Sequence, residues 1–370
     1  MTTEIEAKTE RLVRLLADNR LSGALLNSQH NFAWITGGGT NGVDQSRENG
    51  VASIFVRSDG KRFLLASNIE SPRMLSEEVA ANDFELVEFS WQDEKSSADF
   101  VIRKAKALSG GEIATDIPMH PQTAPIDGLI AKCRYSLTAE EIDRYKKLGS
   151  DAGKAIMTVI GKLQPGETET EIAARMSGEF AKTNINPVVT LVAADDRIAN
   201  FRHPVSTENR WQKKLLLVTC AKRQGLIVSL SRLICVGEIP YEMQRKTEAT
   251  AFVNASLMHS TKPGITGADL YKIAADAYDE AGFRDEINLH HQGGAAGYRT
   301  RDWVAHTTSS EIVQEHQAFA WNPSITGTKV EETVIVTDGD AETITTSPDF
   351  PVITTNIEGR EYHSPGILNI

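Results

Sequence analysis

The sequence predicts a two-domain α+β protein, with an N-terminal α/β domain followed by a second domain of helices and antiparallel strands. Three observations predict it. A chain of 370 residues is long for one hydrophobic core. Its first part alternates helical and strand-like periodicity. Its second part runs through amphipathic helices and closes on strands from Ala318 onward. The boundary is expected near residues 131–138, dividing the chain into residues 1–134 and 135–370.

In the first part, residues 5–19 carry a helical pattern and GALLN (23–27) reads as a strand. VASIFV (51–56) and RFLLA (62–66) flank a Ser-Asp-Gly turn and predict a hairpin. Residues 71–81 predict a helix, 84–89 a strand, and 97–108 a helix stopped by Gly110-Gly111. GEIATD (111–116) predicts a further strand. Such alternation indicates a largely parallel or mixed sheet.

In the second part, Thr138 followed by Glu141 is a capping box that opens a long helix to about Leu163, where Pro165-Gly166 stops it. Residues 167–183 predict a second helix. Strands are expected at 188–193, 215–220 and 226–236, and helices at 241–259 and 267–281. AFAWNPSI (318–325), KVEETVIVT (329–337) and AETIT (341–345) complete the strand-rich end.

Composition narrows the function. Net charge is −11 and no Lys/Arg cluster stands out, so nucleic acid is not an expected partner. No apolar run reaches the roughly 20 residues that span a bilayer, so no membrane association is expected. The first helix is charged and lacks the apolar core of a signal peptide. Cys133, Cys220 and Cys235 have no metal-type spacing, and two lie in strand-like runs as buried thiols would. A reduced, cytoplasmic protein is expected.

Six segments carry a resemblance. They are NSQHNFAWITGG (27–38), residues 135–152, LQPGETET (163–170), FRHPVS (201–206), LHHQGG (289–294) and KVEETVIVT (329–337). In that order they are similar to the creatinase/prolidase/aminopeptidase P superfamily, peptidase family M24. The resemblance implies a creatinase-like N-terminal domain and a C-terminal pita-bread catalytic domain. It also implies a homodimer and a small-molecule or dipeptide-like substrate.

Metal-dependent members of that superfamily use five ligands: Asp, Asp, His, Glu, Glu. Oxygen-rich ligation of this kind suits two divalent ions bridged by water. The matching positions here are Val218, Ser229, His291 (with His290 as the register alternative), Asn322 and Glu331. No Asp or Glu lies anywhere between Leu215 and Leu233. One imidazole and one carboxylate cannot hold two hard cations against water. No metal and no cofactor is therefore expected.

Creatinase, a member of the superfamily, hydrolyses a guanidinium C–N bond without metal. The resemblance implies a His as proton shuttle, and the matching residue is His203. Imidazole suits the role because it accepts and returns a proton near neutral pH; the bland reading is that His203-Pro204 only caps a loop. Glu331 and Glu332 should face opposite sides of a strand. An inward Glu331 is then either a working carboxylate or one half of an ion pair with an interdomain Arg. On the same alternation, at most one of His290 and His291 faces a common cleft. Gly293-Gly294 allow close backbone approach.

Tyr298 and Trp303 are candidate pocket walls, and Arg301 is a candidate carboxylate binder or a structural staple. Ser229 and Ser231 lack the setting of a serine nucleophile and read as pocket hydroxyls. Creatinase has a carboxylate at the Ser231 position, so its absence argues against creatine as substrate. The expected catalytic residues are thus His203, Glu331 and His291. The expected substrate-binding residues are His290, Tyr298, Arg301, Asn322, Ser229 and Ser231. Trp34, Asp44 and Arg47 flank a Gly-rich loop and are candidates for an intersubunit lid, with a plain surface loop as the alternative.

Three functions follow in order. The first is metal-independent hydrolysis of a C–N bond in a small amide, amidine or amino-acid derivative. The second is a noncanonical Xaa-Pro metallopeptidase, and the third a non-catalytic binding protein that keeps the fold.

Overall fold

The computed structural model describes residues 3–119, 123 and 125–370. The chain forms two compact units, Met1–Arg134 with Gln224–Leu226, and Tyr135–Arg223 with Ile227–Ile370.

The first unit begins with α1 (Glu4–Asp18), opened by a reciprocal cap between Thr3 and Glu6. Next come β1 (Gly23–Ser28) and α2 (Gln29–Ile35), capped by Ser28, whose side chain accepts from Asn31 N. The predicted hairpin is present as β2 (Asn49–Arg57) and β3 (Arg62–Ser67), turned at Gly60 with φ +86°. The helix expected over 71–81 is shorter and changes pitch. It is α3 (Ser71–Arg73), continued by a π-turn over Met74–Glu78. Then follow β4 (Glu85–Phe89), α4 (Trp91–Ser96), α5 (Phe100–Ser109), β5 (Ile113–Thr115) and α6 (Asp127–Arg134). Gly110 ends α5 in the left-handed conformation.

The sheet of this unit has the order β4-β3-β2-β1-β5. Its centre is antiparallel and both margins are parallel, so it is mixed. One face packs Leu25, Phe55, Phe63 and Leu65 against Ile102 and Ala105 of α5. Trp34 corrects an expectation. It is fully buried on α2, and its carbonyl accepts from Lys8 Nζ at 2.7 Å, so it is a core residue and not part of a lid. Asp44 and Arg47 are exposed and pair with each other at 3.0 Å.

The second unit opens with α7 (Ala139–Ile160) and α8 (Glu169–Ala181), each started by a Thr/Glu capping box. β6 (Asn186–Ala194) and the short α9 (Arg197–Asn200) lead to the hairpin of β7 (Lys214–Arg223) and β8 (Leu226–Cys235). Its two-residue turn, Gln224-Gly225, has positive φ at both positions, the geometry that matches strand twist. Then come α10 (Tyr241–Ser260) and α11 (Gly267–Glu280).

The rest is strand: β9 (Gly293–Ala296), β10 (Trp303–Val304), β11 (Ala318–Trp321), β12 (Ser324–Ile325), β13 (Thr328–Lys329), β14 (Glu332–Thr337), β15 (Asp340–Thr343), β16 (Val352–Ile357), β17 (Arg360–Pro365) and β18 (Ile367–Asn369). Two larger sheets result, β10-β9-β11-β14-β15 and β18-β8-β7-β6. An apolar cluster including Leu191, Leu216, Val218, Leu233 and Met243 packs on the second.

The strand expected over 329–337 is interrupted. Val330 and Glu331 lie between β13 and β14, because Val330 N donates to Pro323 O at 3.1 Å and Glu331 O accepts from Ser231 N of β8 at 3.1 Å. That cross-link brings the two sheets together beside Glu331.

α7 presses directly on backbone. A Cβ built on Gly149 would lie 2.0 Å from Ile344 O, and one on Gly153 would lie 2.1 Å from Thr346 O. Neither carbonyl can give way as a flexible side chain could. Gly149→Ala and Gly153→Ala are each expected to destabilise by about 1–3 kcal/mol, as overpacking does. Urea unfolding of the variants checks this, and an unchanged midpoint would contradict it.

Candidate active site

Two loops of the second unit bring three imidazoles together. His203 follows α9, and its loop is anchored next door at Arg202. That guanidinium bonds Glu286, Thr326 Oγ1 at 2.8 Å and Ser324 Oγ at 3.3 Å. His290 and His291 follow a 3-10 turn (Arg284–Asn288) and precede β9. Gln292 fixes them. Its amide donates to His290 O, its Oε1 lies 2.7 Å from the Tyr278 hydroxyl, and its carbonyl accepts from Asn322 N at 3.0 Å.

Because 290 and 291 precede the strand, alternation does not apply to them. Their rings stack at 4.5 Å and 24°, and both lie beside His203, at 5.0 and 6.2 Å between centroids. The expectation that only one could face a common cleft is thus corrected. His290 Nε2 and His203 Nε2 are 3.2 Å apart.

All three rings are held in the neutral form at neutral pH. Burial pushes His290 down to about 2, with the charge of Lys329 adding to it. Burial, then Arg301 and Lys329, push His291 down to about 4. His203 is also lowered, by burial and then Lys329, with Glu331 opposing.

Glu331 is 3% exposed. Lys329 Nζ lies 2.9 Å from one carboxylate oxygen and Arg301 Nη2 lies 3.3 Å from the other. Burial works to raise this carboxyl, but the two cations outweigh it and hold it below the usual range. Both partners belong to the second unit, so the expected interdomain Arg is not the partner seen. Glu332 turns the other way, to the buried Arg232 at 3.0 Å, and burial pushes it up to about 7.

Arg301 also reaches Ser229 Oγ at 3.3 Å, and that hydroxyl lies 3.3 Å from Cys220 Sγ. The β7 side chain beside Ser229 is therefore that of Cys220, while Val218 sits in the apolar cluster. Ser231 Oγ and Asn322 Oδ1 are buried and make no hydrogen bond among the described residues. Gly293 has φ +106°, and a Cβ there would lie 2.1 Å from Ala320 O and 2.8 Å from Asn322 Oδ1.

Two aromatic candidates are spent elsewhere. The Tyr298 hydroxyl donates to Glu141 Oε1 at 2.6 Å, joining the cap of α7. Trp303 packs edge-on against Phe319 at 5.5 Å. Sequence reasoning missed Lys329, Cys220 and Arg202. The only signal was a lysine two residues before Glu331.

The sequence profile of metallopeptidase family M24 matches residues 143–338, more than half of the chain. This chain belongs to metallopeptidase family M24. The creatinase/prolidase N-terminal domain matches residues 8–136. The Xaa-Pro dipeptidase of Pyrococcus furiosus is 26% identical over 230 residues, 60% of this chain and 66% of that relative, just under two thirds of its length. An uncharacterized peptidase of Staphylococcus aureus is 21% identical over 88% of this chain and 98% of its own.

Among solved structures, the prolidase of Pyrococcus horikoshii OT3 superposes with a TM-score of 0.74 at 20% identity, over 92% of this chain and 98% of that one. Dipeptidase PepE of Mycobacterium ulcerans gives 0.78 at 15%, over 100% and 99%. The fold is thus the two-domain creatinase/prolidase type with a pita-bread second domain.

The family name implies metal, and the donor set does not fit two hard ions. Val218 is apolar, Ser229 and Asn322 are neutral, and both oxygens of Glu331 face side-chain cations. Among the described residues, no helix is long and apolar enough to cross a membrane.

Proposed function

We propose that this member of the M24 family hydrolyses a C–N bond in a small amide, amidine or dipeptide-like substrate without the two-metal centre, with His203 moving the proton. The observation that carries this reading is the pairing of Glu331 with Lys329 and Arg301, beside a His203 imidazole that is neutral and solvent-accessible. The fixed cations supply positive charge where a metal pair would otherwise polarise substrate.

In the reaction, His203 takes a proton from water as the oxygen attacks the electrophilic carbon. Lys329 and Arg301 stabilise the negative charge that develops. His203 then returns the proton to the leaving nitrogen as the C–N bond breaks. Asn322 Oδ1 and Ser231 Oγ, buried without hydrogen bonds, are polar atoms that substrate groups would satisfy. His290 and His291 hold His203 in place from one side. The names of the relatives support Xaa-Pro dipeptides as the first substrates to try, and a homodimer belongs to the same reading.

The test is a screen of Xaa-Pro dipeptides, N-substituted amino acids and guanidino compounds, run with and without a strong chelator. Turnover that the chelator leaves unchanged is the expected result. Turnover abolished by the chelator and restored by Mn²⁺ or Co²⁺ would overturn metal independence. An absence of turnover on all three classes would favour a binding protein.

A further inference from the structure

The three imidazoles form a ligand set of a kind different from the five-ligand carboxylate centre. We infer that His203, His290 and His291 bind a single imidazole-preferring transition-metal ion such as Zn²⁺, Ni²⁺ or Cu²⁺, and that its binding switches the site off.

The geometry leads to this. One nitrogen from each ring lies within 4.8 Å of the other two. His290 Nε2 and His203 Nε2, at 3.2 Å, already match one edge of a tetrahedral site. With metal–nitrogen bonds of about 2.0–2.1 Å, that edge is about 3.3 Å. The scaffold is prepared as well, since Gln292 holds the His290 carbonyl and Arg202 is tied to Glu286, Thr326 and Ser324. Closing the trio on an ion therefore needs small ring movements, with the anchored backbone left in place.

The charges choose the ion. Lys329 and Arg301 share Glu331, and Arg202 is matched by Glu286, which leaves one net positive charge beside the rings. Among the described residues, the two carboxylates named beside the rings, Glu286 and Glu331, are both held in ion pairs, so Mg²⁺, Ca²⁺ and Mn²⁺ lack the oxygen ligands they prefer. Imidazole suits Zn²⁺, Ni²⁺ and Cu²⁺. The net charge favours an anion, chloride or hydroxide, as the fourth ligand. The switching-off rests on the proposed function, because the ion would occupy the His203 lone pair that accepts the proton. The binding does not rest on it.

Calorimetry on the full chain with Zn²⁺ and Ni²⁺, alongside Mn²⁺ and Mg²⁺, tests the site. The visible spectrum of bound Co²⁺ reports imidazole ligation directly. One equivalent of Zn²⁺ or Ni²⁺ per chain is expected, with no binding of Mg²⁺ or Mn²⁺. His203→Ala, His290→Ala and His291→Ala should each weaken binding by more than the about 10–100-fold typical for loss of an outer-shell partner. Glutamine variants at the same positions keep the side-chain bulk and repeat the test if an alanine variant folds poorly.

Turnover that falls in step with Zn²⁺ occupancy completes the expected result. No binding, or binding that persists in the histidine variants and is lost in Cys133→Ser, overturns the inference and leaves the proposed function standing. Binding that depends on the trio but raises turnover overturns the switch and the metal-independent reading together.

Discussion

His203→Ala is expected to lower kcat by about 10²–10⁴-fold, the usual contribution of a positioned acid–base group, with KM little changed. The reason is geometric. His203 and His291 are both exposed and His290 is half-buried, but burial pushes His291 down to about 4 and His290 to about 2, which makes both costly to charge. His203→Gln tests the same point more strictly, because it keeps a polar side chain of similar size yet cannot accept a proton. Both variants should be measured in chelated buffer on the substrate found in the screen. Loss of kcat with KM held means the residue acts in the transition state. Either variant turning over at the wild-type rate would remove His203 from the mechanism.

Lys329→Met is expected to destabilise the second unit by about 3–5 kcal/mol, the typical result of taking one partner from a buried ion pair. Glu331 is 3% exposed and would keep Arg301 alone, at 3.3 Å. Double substitution, Lys329→Met with Glu331→Leu, should recover much of the loss, because no unmatched charge then remains buried. The pH dependence has a definite sign. The Glu331 carboxyl lies below its ordinary value in the folded chain. Its stabilisation is therefore complete above the ordinary glutamate range and is lost as pH falls through the depressed value. In Lys329→Met, burial is less opposed and the carboxyl takes up a proton sooner. The deficit of the variant is then greatest near neutral pH and shrinks in acid. Denaturant titrations across that pH range decide it, and a deficit below about 1 kcal/mol at neutral pH would show that the pair is dispensable.

The fold was legible where local rules act on their own. The Thr138/Glu141 cap of α7 and the Ser-Asp-Gly turn between β2 and β3 are short-range signals, and the structure carries both. Elements set by distant partners were not legible. β18 finds its place only by pairing with β8, and β14 is cut short because Ser231 claims the carbonyl of Glu331. At the site, sequence reasoning reached His203, His290, His291, Arg301 and Glu331 individually. It erred on their mutual orientation, because strand alternation was applied to two histidines that precede the strand. Lys329 was passed over because its role depends on burial beside Glu331, which charge alone does not reveal.

The parallel pairing of β18 with β8, Ile367 against Leu233, has a bearing on how the chain reaches its native state. β8 leaves the ribosome long before its neighbour exists. Until then the hairpin strand that carries Ser229 and Ser231 offers a bare hydrogen-bonding edge, the kind of surface on which nascent chains join one another. The sheet behind the site is therefore completed only after residues 236–366 have been made. Substitutions in β18 should lower the yield of native protein during expression more than they alter a molecule already folded.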